Sequence, residues 1–429
     1  MPLSSQTARI VVLTGVPKFT ANLLKVGQME AAKVWNRCRD AQQSAMKERT
    51  QWPHRDMLQK LTKGKFSLHS QSAQMVCHAF LANVRTTVEL RKQGRKDILY
   101  PYKEKRFYPL LWPAQAMALD GNRIILPMGR GRKSIVLPRP EWLTKPAGCQ
   151  IIWNRIGYEL HVTAEVEIAE RSKKNVNATV DLGQIHQCAV TTDTGKGLIV
   201  SGRGVRSEKR RLNQMHGSLA SKLDRCKKGS KRWHTLKSAR NGYALRAERR
   251  IRDMRHKGTR QVIDFCQANE VSDLYIGDPD GVRKTPCGRK HNQRMSQWEY
   301  SKDIKYLDYK SEHAGISSFS GSERGTSSRC PKCGHQHKPR GRNWVCKVCG
   351  FSGHRDLVGS INMHEIAFQN KATFPVSNDV TYLRPGTCCW KYLNRSSRPD
   401  TGRRKGFGPQ TPALSEVRVE STTDSVRTP

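Results

Sequence analysis

The sequence predicts an α+β chain of several domains. A small N-terminal β module is interrupted by a helical insert. A second region alternates strands with long basic helices, and a cysteine-built ribbon is set into it. Three observations carry this. The 429 residues allow two to four domains at roughly 100–200 residues each. The hydrophobic pattern switches several times between helical spacing and short, turn-bounded runs. Four cysteines stand in two CxxC pairs late in the chain.

Residues 8–17 (ARIVVLTGVP) read as a strand. Helical spacing follows, first through Leu23, Leu24, Val26, Met29, Ala32, Val34 and Trp35, then through Met75, Phe80, Val84 and Val88. Beyond the aromatic, proline-rich YPYKEKRFYPLLWP, the segments NRIILPM, SIVLP, CQIIWNR and YELHVTAEVE are short strands punctuated by Gly, Pro and Arg. With the first strand they predict a small barrel or sandwich. That assigns 1–20 and 100–171 to the β module and 21–99 to the insert.

A three-stranded meander opens the second region: ATVDLG, QCAVTT and GLIVSG, the last two joined by TDTGKG. A basic helical stretch comes next, with nineteen Lys/Arg and four Asp/Glu between Arg203 and Lys257 and a break at Gly229. VSDLYIGD reads as a buried strand, GVRKTPCGRKHNQR as a loop, QWEYSKDIKYLDYKSEHAG as a helix, ISSFSGSE as a strand and HRDLVGSINMHEIAF as a last helix. The second domain therefore takes 172–327 and 353–369, around a ribbon at 328–352. Residues 370–429, rich in Ser, Thr, Pro, Gly and charge, read as a disordered tail.

Composition narrows the partners. Lys and Arg number 77 against 36 Asp and Glu, a formal net charge of +41. Self-repulsion of that size favours a polyanionic partner, and nucleic acid binds basic surfaces by releasing condensed counterions. Arg210, Arg211, Lys227, Lys228, Arg249, Arg250, Arg340 and Arg342 are the candidate phosphate contacts. No apolar run approaches the ~18 residues of a spanning helix, and the N-terminal apolar run is short for a signal peptide. The expectation is a cytoplasmic, nucleoid-associated bacterial protein. Thirteen cysteines in a long chain argue against a secreted disulfide framework.

Cys330, Cys333, Cys346 and Cys349 spell C-x2-C-x12-C-x2-C. Each CxxC aims two thiolates at one point, and two such knuckles complete a closed sulfur tetrahedron for structural Zn²⁺. Gly334 and Gly350 follow the knuckles, where the backbone turns. Carboxylates are scarce, so their positions matter. Asp181 ends the first meander strand, Asp278 ends VSDLYIGD, Glu323 ends ISSFSGSE and Asp356 opens the last helix. Such groups can converge on Mg²⁺ for phosphodiester hydrolysis. Position alone equally allows a turn cap at Asp181 and an ordinary helix-start acid at Asp356.

The order of TVDLG, the basic helices, YIGD, NQRMSQW, SERGTSSRCPKCG, CKVCG and HRDLVGSIN resembles the TnpB family. These are the OrfB proteins of insertion sequences, relatives of the compact type V CRISPR effectors. The resemblance runs over residues 8–368. It implies a wedge-like N-terminal barrel with a helical recognition insert, a RuvC-like nuclease domain of RNase H type and an inserted zinc ribbon. It implies a guide RNA from the transposon end and a DNA target cut beside a short flanking motif. Asp181 matches the family's first catalytic aspartate and Asp356 its last. The middle acid departs, because Gly277 stands where the family has glutamate. Asp278 is one residue off, which turns its side chain to the other face of a strand. Glu323 on the neighbouring strand is the expected replacement, giving Asp181, Glu323 and Asp356, with Asp278 as fallback. A guided binder that has lost cleavage, or a transposase accessory protein, is the competing expectation.

Overall fold

The computed structural model describes residues 4–279, 288–337 and 341–386. In the N-terminal half, β1 (Ser4–Leu13) leads into the helices α1 (Lys18–Lys47), α2 (Arg55–Thr62) and α3 (Ser70–Lys92). The chain then returns as β2 (Leu110–Pro113), β3 (Ala118–Asp120), β4 (Arg123–Leu126), β5 (Ile135–Pro138), β6 (Pro146–Trp153) and β7 (Tyr158–Glu167). The ladders form two antiparallel sheets, ordered β1-β7-β6-β2 and β3-β4-β5. One core unites both sheets with the helices, through Leu24, Trp35, Phe80, Leu110, Leu126 and Leu160. The insert thus shares the core of the module it interrupts. Gly27 shows how closely: a Cβ there would lie 2.6 Å from Met128 Cε and 3.1 Å from Leu110 Cδ1.

The second half is one mixed sheet covered on both faces, the layering that buries two apolar faces at once. Its strands are β8 (Val176–Leu182), β9 (His186–Thr192) and β10 (Gly197–Ser201), then, after α4 (Arg203–Asp224) and α5 (Lys231–Ala268), β11 (Val271–Asp278). Helices α6 (Arg289–Gln297) and α7 (Tyr300–His313) precede β12 (Ser317–Ser322). The hairpin β13 (Asn343–Val345) and β14 (Ser352–His354) leads into α8 (Arg355–Phe368), and β15 (Val380–Leu383) ends the described chain. Strand order is β12-β11-β8-β9-β10-β15.

Side-chain alternation along β8 sets the two faces. Ala178, Val180 and Leu182 join Val262 and Cys266 of α5 and Leu307 of α7 in one core. Thr179 faces the other way and hydrogen-bonds Ser360 of α8, Oγ to Oγ, at 3.0 Å. Strands β8, β11 and β12 run parallel, so their carboxyl ends share one edge. In open α/β sheets that is the edge where ligands bind.

Three expectations need correction. The tail is not structureless from residue 370, because β15 pairs in parallel with β10 and buries Val380 and Leu383. Four residues without alternation carry too little pattern to read as a strand. Residues 387–429 lie outside the described residues. Part of the expected loop is helical: Arg289–Gln297 forms α6, while 280–287 fall outside the described residues. Residues 172–177 (SKKNVN), whose sequence reads as a linker out of the first module, already contain the start of β8.

Candidate nuclease and metal site

The cysteine ribbon follows from local geometry. Gly334 and Gly350 adopt φ of +76° and +68°, a left-handed turn that L side chains resist. Their amides donate to the carbonyls of Cys330 and Cys346 at 2.9 and 3.1 Å. Sγ separations are 3.6 Å for Cys330–Cys349 and 3.5 Å for Cys333–Cys346. A tetrahedron with Zn–S bonds of ~2.3 Å has edges of about 3.8 Å, so the four thiols fit that ion with little movement. Trp344, buried between the knuckles, packs on Val358 of α8 and docks the ribbon onto the sheet domain.

The four sequence-predicted acids gather at the carboxyl edge. Asp181 is in the last turn of pleat of β8, Asp278 ends β11, Glu323 follows β12 by one residue and Asp356 lies in the first turn of α8. Gly277 bears on them directly. A Cβ there would stand 2.8 Å from Glu323 Oε2, 2.8 Å from Met363 Sδ and 3.2 Å from the Val180 carbonyl. The missing side chain thus leaves the space that the Glu323 carboxylate fills. Gly359 does the same for Asp181, whose Oδ2 would lie 2.4 Å from a Cβ on α8. Asp278 is exposed beyond Gly277, yet close enough for its charge to act on Glu323.

Electrostatics separate the acids. Burial, then the charges of Glu323 and Asp356, push Asp181 well above the carboxylate range. Burial and Asp278 push Glu323 up to about 7. Its Oε2 is buried with no hydrogen-bond partner among the described residues. Burial also pushes Asp356 upward, but the His186 hydrogen bond and the Arg342 charge outweigh it and hold this carboxyl low. Crowded, partly orphaned carboxylates are the donor set that a divalent cation relieves. His186 Nδ1 lies 2.7 Å from Asp356 Oδ2, and the Arg342 guanidinium donates to the same oxygen. A cavity of 360 Å³ opens here, lined by Asp181, Gln184, His186, Arg342, Arg355 and Asp356.

His186 and His354 were not singled out from sequence. A histidine two residues before an aspartate, in GHRD, was the only signal for one of them. Nothing local marked the other.

The basic candidates separate into classes. Arg210 and Arg211 are exposed on α4, and Lys227 and Lys228 on the turn after it. Arg250 is exposed but reaches Glu208 at 3.4 Å. Arg249 departs from the expectation. Its guanidinium binds the buried Glu159 of β7 at 2.8 Å and ties α5 to the N-terminal sheet. Arg342 is engaged by Asp356, and Arg340 lies outside the described residues. Between α4, α5 and the N-terminal sheet lies a larger cleft of 870 Å³, lined by Trp153, Arg155, Lys209, Arg252 and Arg255 among others.

Known proteins resemble parts of this chain. A family model described as a probable transposase, OrfB of the IS605 kind, matches residues 159–283. Another, the Cas12f1-like TNB domain, matches residues 300–363. A TnpB-like protein of Methanocaldococcus jannaschii is 26% identical over 157 residues, 36% of this chain. Over these segments the chain is similar to proteins of the TnpB family. It spans 56% of the length of that relative. A solved Cas12f1 chain, from a complex with sgRNA and target DNA, superposes with a TM-score of 0.60 at 12% identity. That match covers 81% of this chain and 83% of the Cas12f1 chain, and it establishes a common fold. No helix among the described residues is long and apolar enough to cross a membrane.

Treatment with a chelator tests whether the four thiols hold a metal ion. Binding of a structural zinc contributes ~10–16 kcal/mol in small zinc modules. A chelator therefore unfolds the ribbon first, while the six-stranded sheet, with its own core, stays folded. In hydrogen exchange, amides from Cys330 to Gly350 lose protection and those of β8 and β9 keep it. Equal loss in both would mean the ribbon is part of one cooperative unit with the sheet.

Proposed function

We propose that this chain is an RNA-guided, Mg²⁺-dependent DNA endonuclease encoded by an insertion sequence, cutting target DNA beside a short flanking motif. In this reading the mixed sheet with α5, α7 and α8 is a RuvC-like domain of RNase H type. The N-terminal sheets are a wedge-like barrel, α1–α3 a recognition insert and the thiol ribbon a structural zinc site. The observation that carries the reading is the seat of Glu323 over Gly277, at the same edge as Asp181 and Asp356.

Asp181 and Glu323 would hold the cation, with Asp356 as the third acid. When bound, Mg²⁺ supplies Lewis-acid activation of water and stabilisation of the leaving oxygen. The chain's own contribution is positional. Gly359 lets α8 press against Asp181, and the Thr179–Ser360 hydrogen bonds lock that helix to β8. Asp356 must exchange its Arg342 partner before it can join a cation, which frees a guanidinium beside the cavity for a phosphate oxygen. The exposed Arg210, Arg211, Lys227 and Lys228 support contact with the backbone of guide or target.

Two measurements test this. RNA that co-purifies with the protein is sequenced, and a discrete transposon-end transcript is the expected result. The purified ribonucleoprotein is then given matched duplex DNA with Mg²⁺. Cleavage is expected, and Asp181→Asn lowers it by about a thousandfold, since a metal ligand supplies several kcal/mol. Tight, guide-directed binding without cleavage in the wild-type chain would instead support a guided repressor.

A further inference from the structure

One nitrogen from each of His186 and His354 and an oxygen of Asp356 lie within 4.8 Å of one another. The proposed hydrolysis gives neither imidazole a task. The three groups come from separate points of the fold: His186 begins β9, His354 ends β14 and Asp356 sits in the first turn of α8. The two rings are 5.0 Å apart and tilted by 55°, so they are not stacked on each other. His186 and Asp356 line the 360 Å³ cavity, which leaves room for water on a bound ion.

A second observation points to a cation here. Arg342 Nη1 contacts Asp356 Oδ2 and stands 3.4 Å from His186 Nδ1. Positive charge therefore already rests between two of the three groups. The simpler reading is that His186 only orients Asp356 and His354 only caps α8. That cap is weak: His354 Nδ1 accepts the Asp356 amide at 3.3 Å, long enough for a metal–nitrogen bond to replace it at small cost.

We propose that His186, His354 and Asp356 form a nitrogen-ligated site for a first-row divalent ion that accepts imidazole, for which Mn²⁺ serves as the paramagnetic probe, sharing Asp356 with the carboxylates Asp181 and Glu323. Imidazole suits Fe²⁺, Ni²⁺ or Zn²⁺, and Mn²⁺ accepts it more weakly than these, whereas Mg²⁺ takes oxygen ligands. Arg342 occupies the position until the ion enters. Because Arg342 immediately precedes β13, metal entry releases one tether of the ribbon hairpin. The site does not depend on DNA cleavage. A chain that never cuts would still bind the ion through nitrogen.

The full-length protein, with zinc in its ribbon, is titrated with Mn²⁺. Electron paramagnetic resonance counts the free ion, and electron spin-echo modulation detects directly bound ¹⁴N. Bound Mn²⁺ with imidazole ¹⁴N modulation is expected. Loss of an outer partner alone costs ~10-fold in metal affinity, so His186→Ala and His354→Ala each weaken binding at least about tenfold and diminish the modulation. Glu323→Gln keeps the nitrogen signal, and Arg342→Ala tightens binding. Mn²⁺ bound without ¹⁴N modulation overturns the proposal, as does no binding at millimolar ion or a signal that survives in the double histidine variant. The wild-type spectrum decides even where a histidine variant does not fold. Nitrogen-coupled Mn²⁺ in a chain without cleavage sinks the nuclease reading and leaves this one standing.

Discussion

Glu323→Gln lowers Mg²⁺-dependent cleavage by about a thousandfold, equivalent to ~4 kcal/mol of transition-state stabilisation, and moving the acid back to residue 277 restores part of it. The reason is spatial. Glu323 Oε2 fills the volume that a side chain at Gly277 would claim, 2.8 Å from the Cβ position. Gly277→Glu alone therefore forces two carboxylates and Met363 into one space. Overpacking of this kind costs about 1–3 kcal/mol, and like charges at contact add to it. In the double variant Gly277→Glu with Glu323→Ala the carboxylate is gone, and what must still yield is the flexible Met363 and, by a few tenths of an ångström, the Val180 carbonyl 3.2 Å from the new Cβ. Cleavage by the double variant exceeds that of Glu323→Gln at least about tenfold, a recovery of ~1.4 kcal/mol. Asp278→Asn stays near wild type, because Asp278 is exposed and points away from Gly277. Two outcomes in single-turnover cleavage would count against the exchange. One is full activity in Glu323→Gln. The other is unaltered activity and stability in Gly277→Glu.

The parts that could be read from the sequence are those whose geometry is decided within a few residues. A CxxC followed by Gly fixes its own knuckle, and Gly334 and Gly350 take the left-handed turn expected of them. Asp181 and Asp356 could be found because each sits at the end of a strongly patterned element. Glu323, one strand-end acid among several, is preferred to Asp278 through the vacancy at Gly277, a relation between neighbouring strands in register at Gly277 and Gly321. What stayed hidden depends on partners far along the chain. Arg249 sits in a run of basic residues and reads as a phosphate contact, yet Glu159, 90 positions earlier, claims it. His186 meets Asp356 across 170 positions. Strand β15 owes its existence to the open edge of β10, which four residues of sequence do not announce.

Asp303→Ala lowers the stability of the sheet domain by about 3–5 kcal/mol, the usual cost of stranding one member of a buried ion pair. Asp303 on α7 and Arg255 on α5 are each 1% exposed and lie 2.5 Å apart. Gln187 of β9 donates to the other Asp303 oxygen at 3.0 Å. Three elements are thereby pinned on the face of the sheet opposite α8. Arg255 has little else to hold its charge. Nη1 also reaches the Glu299 carbonyl at 3.1 Å, but Nε and Nη2 have no partner among the described residues. The Trp298 ring, 5.0 Å away, offers only a face. Removing both charges avoids the stranded cation, so Arg255→Met with Asp303→Leu costs less than Asp303→Ala alone. Urea midpoints followed by circular dichroism test the order, and a double variant less stable than the single one would refute it. The consequence reaches the candidate site through one peptide bond. Gln187 follows His186 directly, so loosening Asp303 frees the start of β9 and weakens the hold of His186 on Asp356.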